Sequence, residues 1–432
     1  MAISDLAITG STQGAMAVRR DGRVILAWIL LLLVLTAPLP AGSNRPVIWL
    51  MLGGGLGLLG VIWFSRRGVL IGSGLRGWFG VIAIAMAQPL WGVAQTLGLS
   101  QPVSIDPGAT LLAVVRMTAN VGFFMLALEA FSRPGLGRRM MPPLFFGVCA
   151  HALWGLVALR YLGDAALWGE KLAYLGDATG AFVGRNAYAA YLGMGLVLGT
   201  VLLAEVWRGK GLARLGYLLG MVVIMAALIS THSRLGVGLS MAAAALAALL
   251  MGAPRSMVGV LAVLALLGLT AFGAPLLERG FAWRGDIAVR WGLYADTLRL
   301  IAERPLSGFG LDGFAQAHEM TRSRAQYDAF VLTDAHSSYL ESWAEAGLLF
   351  GTMPFLAGIL VFSRLLRSSF RNRATVVAAI SAISLAALHS LFDFAYEIEA
   401  NLLLLLFIGA IGASDACPRD DARHRISRGT HV

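Results

Sequence analysis

Stretches of about twenty consecutive apolar residues recur along this 432-residue chain, and they leave few options for its fold. Each is long enough to cross a hydrocarbon core of about 30 Å as a helix. A helix is required there, because backbone groups facing lipid must satisfy one another. Charged residues make up only 13% of the chain and hydrophobic residues 58%, with a mean hydropathy of +0.74. Soluble domains carry about 25% charged residues, so a water-soluble globule is excluded. The pattern predicts an all-α polytopic membrane protein with spans at 24–41, 46–65, 78–97, 110–130, 141–162, 187–206, 213–230, 235–252, 256–275, 338–362, 375–393 and 397–413. The first is expected to be a retained signal anchor rather than a cleaved signal peptide.

The net charge of +10 does not call for nucleic acid, because the basic residues fall between spans, where they act as orientation signals. One set of connections carries twenty-one of them, from Arg19, Arg20 and Arg23 through Arg138, Arg208 and Arg364 to Arg428. The alternate short connections carry only Arg45, Arg160, Lys171, Arg185 and Arg234. Both termini are therefore expected on the cytoplasmic side. The loop between spans nine and ten then lies outside, its seven arginines weighing little because long loops translocate regardless of charge. Two cysteines, Cys149 in an apolar run and Cys417 near the C-terminus, offer no disulfide or metal framework.

That loop, about residues 276–337, is the only long polar segment and the expected seat of chemistry. It opens with Arg279 and Arg284, continues as an amphipathic helix from Arg290 to Arg304, and turns at Pro305 into the Gly-rich run 307–314. It closes on Asp334 and His336 where hydrophobicity resumes. Gly308–Gly313 and Gly55–Gly60 both match GxGxxG, but neither sits in the strand–turn–helix context of a dinucleotide site. The first is expected to be a tight turn, the second close helix packing through small residues. Metal chemistry finds no support, since no outside segment offers paired carboxylates or His/Cys at ligand spacing.

Several polar residues should gather at the outer face although they are far apart in sequence. Arg234, between spans seven and eight, suits a diphosphate through its planar donor fork; the plainer alternative is an interfacial arginine reaching lipid headgroups. Arg185 and Asn186 open span six, either as substrate contacts or as an ordinary helix start. Arg116 interrupts span four about six residues, roughly 9 Å, from its outer end. It can snorkel there, but a membrane arginine is a functional candidate by default; Asn120 lies on the same helical face. His336 suits a general base, with Tyr339 and Glu341 following it. His389 and Asp393 are spaced i, i+4 and can meet on one helix face, as a self-satisfying pair or as support for His336.

At these residues the chain resembles the O-antigen ligase/polymerase superfamily. The matching stretches are Phe182–Leu192, Ser233-Arg234, Arg290-Trp291, Arg304–Phe314, His336–Leu349 and His389–Phe394, over roughly residues 180–410. Two positions depart from the pattern: Ser337 follows His336 in place of asparagine, and Glu399 replaces a frequent proline. The resemblance implies a GT-C-like fold of about twelve transmembrane helices, with short helices in the periplasmic loop. It divides the chain into N-terminal helices (1–180), a ligase/polymerase-like domain (181–413, including the loop 276–337) and a cytoplasmic tail (414–432).

The implied activity is a metal-independent, inverting glycosyl transfer at the periplasmic face of the bacterial inner membrane, with no cofactor. Arg234 and Arg290 would hold the diphosphate of an undecaprenyl-diphosphate-linked oligosaccharide donor, and His336 would act at the reaction centre. Arg116, Arg185, Asn186, Tyr339, Glu341, His389 and Asp393 would surround the substrate. The acceptor would be a growing glycan, in a polymerase, or lipid A-core, in a ligase. Membrane lipid, a flippase and a chain-length regulator are the further partners implied. A twelve-span secondary transporter is the rival from another class, but it calls for two similar halves with broken mid-membrane helices.

Overall fold

The computed structural model describes residues 22–65, 74–98, 103–209, 211–272, 283–321, 333–370 and 372–417, without the side chains of 267, 268, 271, 272, 283–289, 369 and 370. Arg279, the Arg284 side chain, the orientation signals Arg19, Arg20, Arg66, Arg67, Lys210 and Arg371, and the tail beyond Cys417 lie outside the described residues.

Among the described residues the chain is helical apart from turns, the long connection 162–184 and one antiparallel pairing of Ser369–Phe370 with Ala416–Cys417. In order the helices are α1 (Gly22–Thr36), α2 (Pro46–Ser65), α3 (Phe79–Leu97), α4 (Pro107–Phe131), α5 (Leu136–Tyr161), α6 (Arg185–Val206), α7 (Leu212–Ser230), α8 (Arg234–Met251) and α9 (Arg255–Phe272). Two helices of the polar segment follow, α10 (Trp283–Glu303) and α11 (Phe314–Thr321). The chain closes with α12 (Ser338–Arg367), α13 (Arg373–His389) and α14 (Glu399–Asp415). Eight of them, α2 to α8 and α12, are long and apolar enough to cross a membrane. The other four expected spans coincide with α1, α9, α13 and α14, which are shorter or less apolar.

Two boundaries differ from expectation for identifiable reasons. Span one stops at Thr36 because Pro38 and Pro40 cannot continue a helix, and Ala41–Ser43 form a 3-10 turn instead. Span eleven stops at His389, and the chain then turns through Ser390 to Phe394.

The centre of the bundle is α6. Every residue from Ala187 to Leu203 is buried, against α5, α7, α8, α13 and α14. Lipid offers apolar side chains as good an environment as protein does, so such packing depends on close approach rather than on a hydrophobic drive. Gly193 supplies it: a Cβ there would stand 2.9 Å from Leu385 Cδ2 of α13 and clash with the Ser240 hydroxyl of α8.

At the other extreme, α2 buries only Trp49 and Leu56 of its twenty residues. The expectation of close packing at Gly55–Gly60 fails here. A Cβ on Gly54, Gly55, Gly57 or Gly60 would meet nothing within 4 Å, and only Gly53 approaches α4, at Val115. Gly53, Gly57 and Gly60 instead line an open groove between α2 and α4.

The polar segment builds its own small core from Leu293, Leu300, Ile301, Phe309, Phe314, Ala317, Ala335 and Ala344. The turn after Pro305 is tight, as expected, and it grips a break in α12 at Gly347 (φ 75°). Phe309 N and Gly310 N donate to the carbonyls of Ala344 and Glu345 at 3.0 Å, and Leu348 N donates to Pro305 O at 2.8 Å. The Gln95 side chain of α3 bonds Ser307 O and Glu345 O together (2.7 and 2.8 Å). Gly308 (φ 66°) has no room for a Cβ, which would run into the Glu345 carbonyl.

Candidate active site

The start of α12, the α13–α14 connection and the middle of α10 meet at one end of the bundle, with His336 between them. His336 has a left-handed backbone (φ 51°), sparsely populated for a residue with a side chain. Its neighbours hold it there. Ala335 N donates to Glu341 Oε2 at 2.8 Å, and the Tyr294 hydroxyl of α10 donates to His336 O at 3.0 Å. Ser338 N donates to Ser390 O at 3.0 Å, and Ser338 Oγ to Asp393 O at 3.4 Å. A strained residue fixed from several elements is where a functional group is expected.

The His336 ring faces Asp393. Nδ1 stands 3.5 Å from Asp393 Oδ1, with the histidine side chain 32% exposed and the aspartate 2%. That is longer than a good hydrogen bond, a distance common before substrate tightens a site. Burial alone would raise the Asp393 carboxyl. The adjoining His336 ring, the field of His389 and the Phe394 amide (3.0 Å) outweigh it and hold the group below the usual carboxylate range. With Nδ1 turned to a carboxylate, Nε2 is the nitrogen left to take a proton. Arg290, one helical turn before Tyr294, donates from Nη1 to Phe392 O at 2.6 Å, which brings its guanidinium to the same connection.

The i, i+4 meeting of His389 and Asp393 does not occur. Since α13 ends at His389, Asp393 leaves the helix and reaches His336 instead. His389 is fully buried, edge-on to Tyr396, and neither ring nitrogen has a hydrogen-bond partner among the described residues. Tyr339 donates its hydroxyl to Ala387 O at 3.0 Å and packs on Phe355, so it ties α12 to α13.

Arg185, Asn186 and Arg234 belong to an adjacent network that the sequence did not reveal. Asp177, 2% exposed, accepts from Arg185 Nη1 and pairs with His232 Nδ1, each at 2.7 Å. Asn186 Oδ1 accepts from the Ser233 hydroxyl at 2.8 Å, and the same hydroxyl caps α8 by accepting from Gly236 N. Arg234 follows that cap, exposed at the first turn of α8. Tyr174 joins the two networks: Arg185 lies over its ring at 5.4 Å, and it also feels Asp393 and Asp334. Burial is the main reason its hydroxyl is pushed up. Arg116 lies over the Trp49 ring at 4.3 Å and its charge reaches Asp334 and Glu397, while Asn120 donates to Glu399 Oε2 at 3.2 Å.

No outside segment offered paired carboxylates at ligand spacing in the sequence, yet the fold brings three carboxylates together. Asp334, Glu341 and Glu397 each place a carboxylate oxygen within 4.8 Å of the others, a spacing that could hold a metal ion. Glu397 comes from the far connection, so linear spacing carried no sign of it. Burial holds Asp334 above the ordinary range, although Thr333 and His336 oppose it.

Residues 219–356 match the family model for O-antigen ligase. The likeness to the O-antigen ligase family covers that segment. The matched segment contains Arg234, Arg290, His336, Tyr339 and Glu341, whereas Arg116, Arg185, Asn186, His389 and Asp393 lie outside it. No curated protein matches the chain. The likeness supports glycan transfer of the O-antigen ligase/polymerase type, with a lipid-linked glycan donor and a glycan or lipid acceptor. Together with the helices long enough to cross a membrane, it points to the bacterial inner membrane.

Proposed function

We infer that the protein transfers a glycan from an undecaprenyl-diphosphate-linked donor to a sugar hydroxyl at the periplasmic face. Repeat-unit polymerisation of a surface polysaccharide is the leading reading. The observation that carries the chemistry is the His336–Asp393 contact beside Arg290, built on a strained turn, with His336 and Arg290 inside the segment that matches the O-antigen ligase family and Asp393 beyond it. The acceptor oxygen attacks the anomeric carbon and inverts it, while its proton passes to His336 Nε2. The bond from that carbon to the diphosphate breaks as the new one forms. Arg234 and Arg290 meet the charge that builds on the departing diphosphate, each worth about 3 kcal/mol in a dry site. A positioned base adds roughly 10²–10⁴-fold. Stabilisation of the leaving group is assigned to these arginines and not to a metal.

In this reading all twelve apolar helices cross the membrane, both termini are cytoplasmic, and α10 and α11 lie outside. Residues 181–413 form the transfer domain, with residues 1–180 beside it, a flippase supplying the donor and a chain-length regulator acting on the product. The family description favours a second reading, ligation of a finished glycan to lipid A-core. The lipid-linked glycan pool of a deletion strain separates them. Single repeats stranded on the carrier are expected for a polymerase, and long chains stranded on it would mean a ligase. A pool identical to that of the parent strain would contradict both.

A further inference from the structure

The groove between α2 and α4 encloses about 880 Å³ and is lined by apolar side chains and glycines, among them Gly53, Gly57, Gly60, Val115, Ala119 and Gly122. Gly53, Gly57 and Gly60 follow i, i+4, i+7 spacing and so share one helical face. Their missing side chains leave recesses about one turn, roughly 5.4 Å, apart. From Gly53 to Ser65 the groove runs roughly 18 Å at helical rise, a large part of a hydrocarbon core. It does not run out into lipid at both ends alike. Just before Gly53 on α2 stands Trp49, buried, its indole N–H donating to Ser43 O at 2.8 Å. Arg116 of α4, next to the lining residue Val115, lies over that fixed ring at 4.3 Å. Among the described residues its guanidinium has no hydrogen bond and no ion pair within 4 Å.

We propose that this groove holds the polyisoprenyl tail of the lipid-linked donor, with its diphosphate received first at Arg116. The inference rests on the glycan-transfer reading and deepens it. A branched isoprenoid fits a furrow with regular recesses, and a diphosphate answers a guanidinium at its mouth that makes no hydrogen bond or ion pair among the described residues. The same cation faces the polar segment and the α13–α14 connection, since its charge acts on Asp312, Asp334, Glu397 and Glu399. A second copy of the chain packed glycine to glycine would be the alternative occupant. A two-fold copy would set a second Arg116 at the same depth, so like charges would oppose it.

The test uses the full chain in nanodiscs of phosphatidylethanolamine and phosphatidylglycerol, with a photoreactive polyprenyl diphosphate as probe. Labelling is expected on peptides spanning 53–65 and 114–126. Unlabelled polyprenyl diphosphate should displace the probe at least tenfold better than added phosphatidylglycerol. Arg116→Gln should lose about tenfold of that preference, the worth of one charge-assisted contact. Labelling elsewhere would overturn the proposal. So would equal displacement by phosphatidylglycerol, which would make this an ordinary lipid-facing furrow. Efficient disulfide dimers of Gly57→Cys that block labelling would give the groove to a second copy and overturn it too. Because binding is read rather than transfer, groove labelling without glycan transfer would fault the function alone. Transfer without groove labelling would fault the groove alone.

Discussion

Around His336 four hydrogen bonds from three chain segments converge on one short turn, and the Asp393 carboxylate completes it. Because Asp393 is held below the usual carboxylate range, about 3.9 for a free side chain, it stays ionised well into acid. The sign follows from linkage: a depressed carboxylate contributes fully above its unfolded pKa, and the contribution is lost only as pH falls through the lower folded value. Asp393→Asn is therefore expected to slow transfer by the same factor throughout pH 5–7, about 10²-fold if the carboxylate orients the base. Initial rates for both proteins across that range check it, and a ratio that shrinks toward one at pH 5 would show Asp393 titrating there. His336 and Asp393 were legible in the sequence because each is a polar residue at the edge of an apolar run, and Arg290 because it lies in the long polar segment. The identity of Asp393's partner was not, because it depended on where α13 stops. Tyr294 and Asp177 were also missed. Tyr294 bonds a carbonyl forty-two residues away, and Asp177 sits in a loop whose sequence resembles any other polar turn.

Among the elements, α12 and the turn after Pro305 work as one unit, because backbone bonds cross between them at the Gly347 break. Gly308→Ala places a Cβ against the Glu345 carbonyl and demands a left-handed backbone, which alone costs about 1–2 kcal/mol. A fall of several degrees in melting temperature and a loss of transfer are expected. Gly55→Ala, on the open face of α2, makes the contrasting case: it meets nothing and gains helix propensity, so a neutral or slightly stabilising effect is expected. Unfolding of the purified variants in detergent checks the pair, and equal losses would contradict the packing described. The apolar helices were readable to within five residues because apolar length fixes them, whereas the polar helix expected from Arg290 begins at Trp283. The role of the Gly55–Gly60 run was not readable, since spacing cannot tell a packed face from an open one.

For the whole molecule, the account requires the polar segment and the starts of α6 and α8 to share one side of the membrane. In a chain with Cys149 and Cys417 replaced by serine, Glu303→Cys should react with a membrane-impermeant thiol reagent added from the periplasm. Arg208→Cys should react only after lysis. The reverse pattern would invert the topology. Charge bias in the sequence is the basis of this expected side choice, whereas the gathering of Asp334, Glu341 and Glu397 needed the folded chain. The central claim is that His336 and its neighbours transfer a glycan from a lipid diphosphate. The most direct measurement is transfer by purified protein in proteoliposomes containing a polyprenyl-diphosphate oligosaccharide and a glycan acceptor, with a chelator present. The wild-type protein should extend the acceptor, and His336→Ala and Arg234→Ala, inserted equally well, should not. Near-normal extension by either variant, or transfer that returns only when a divalent metal is restored, would contradict the account.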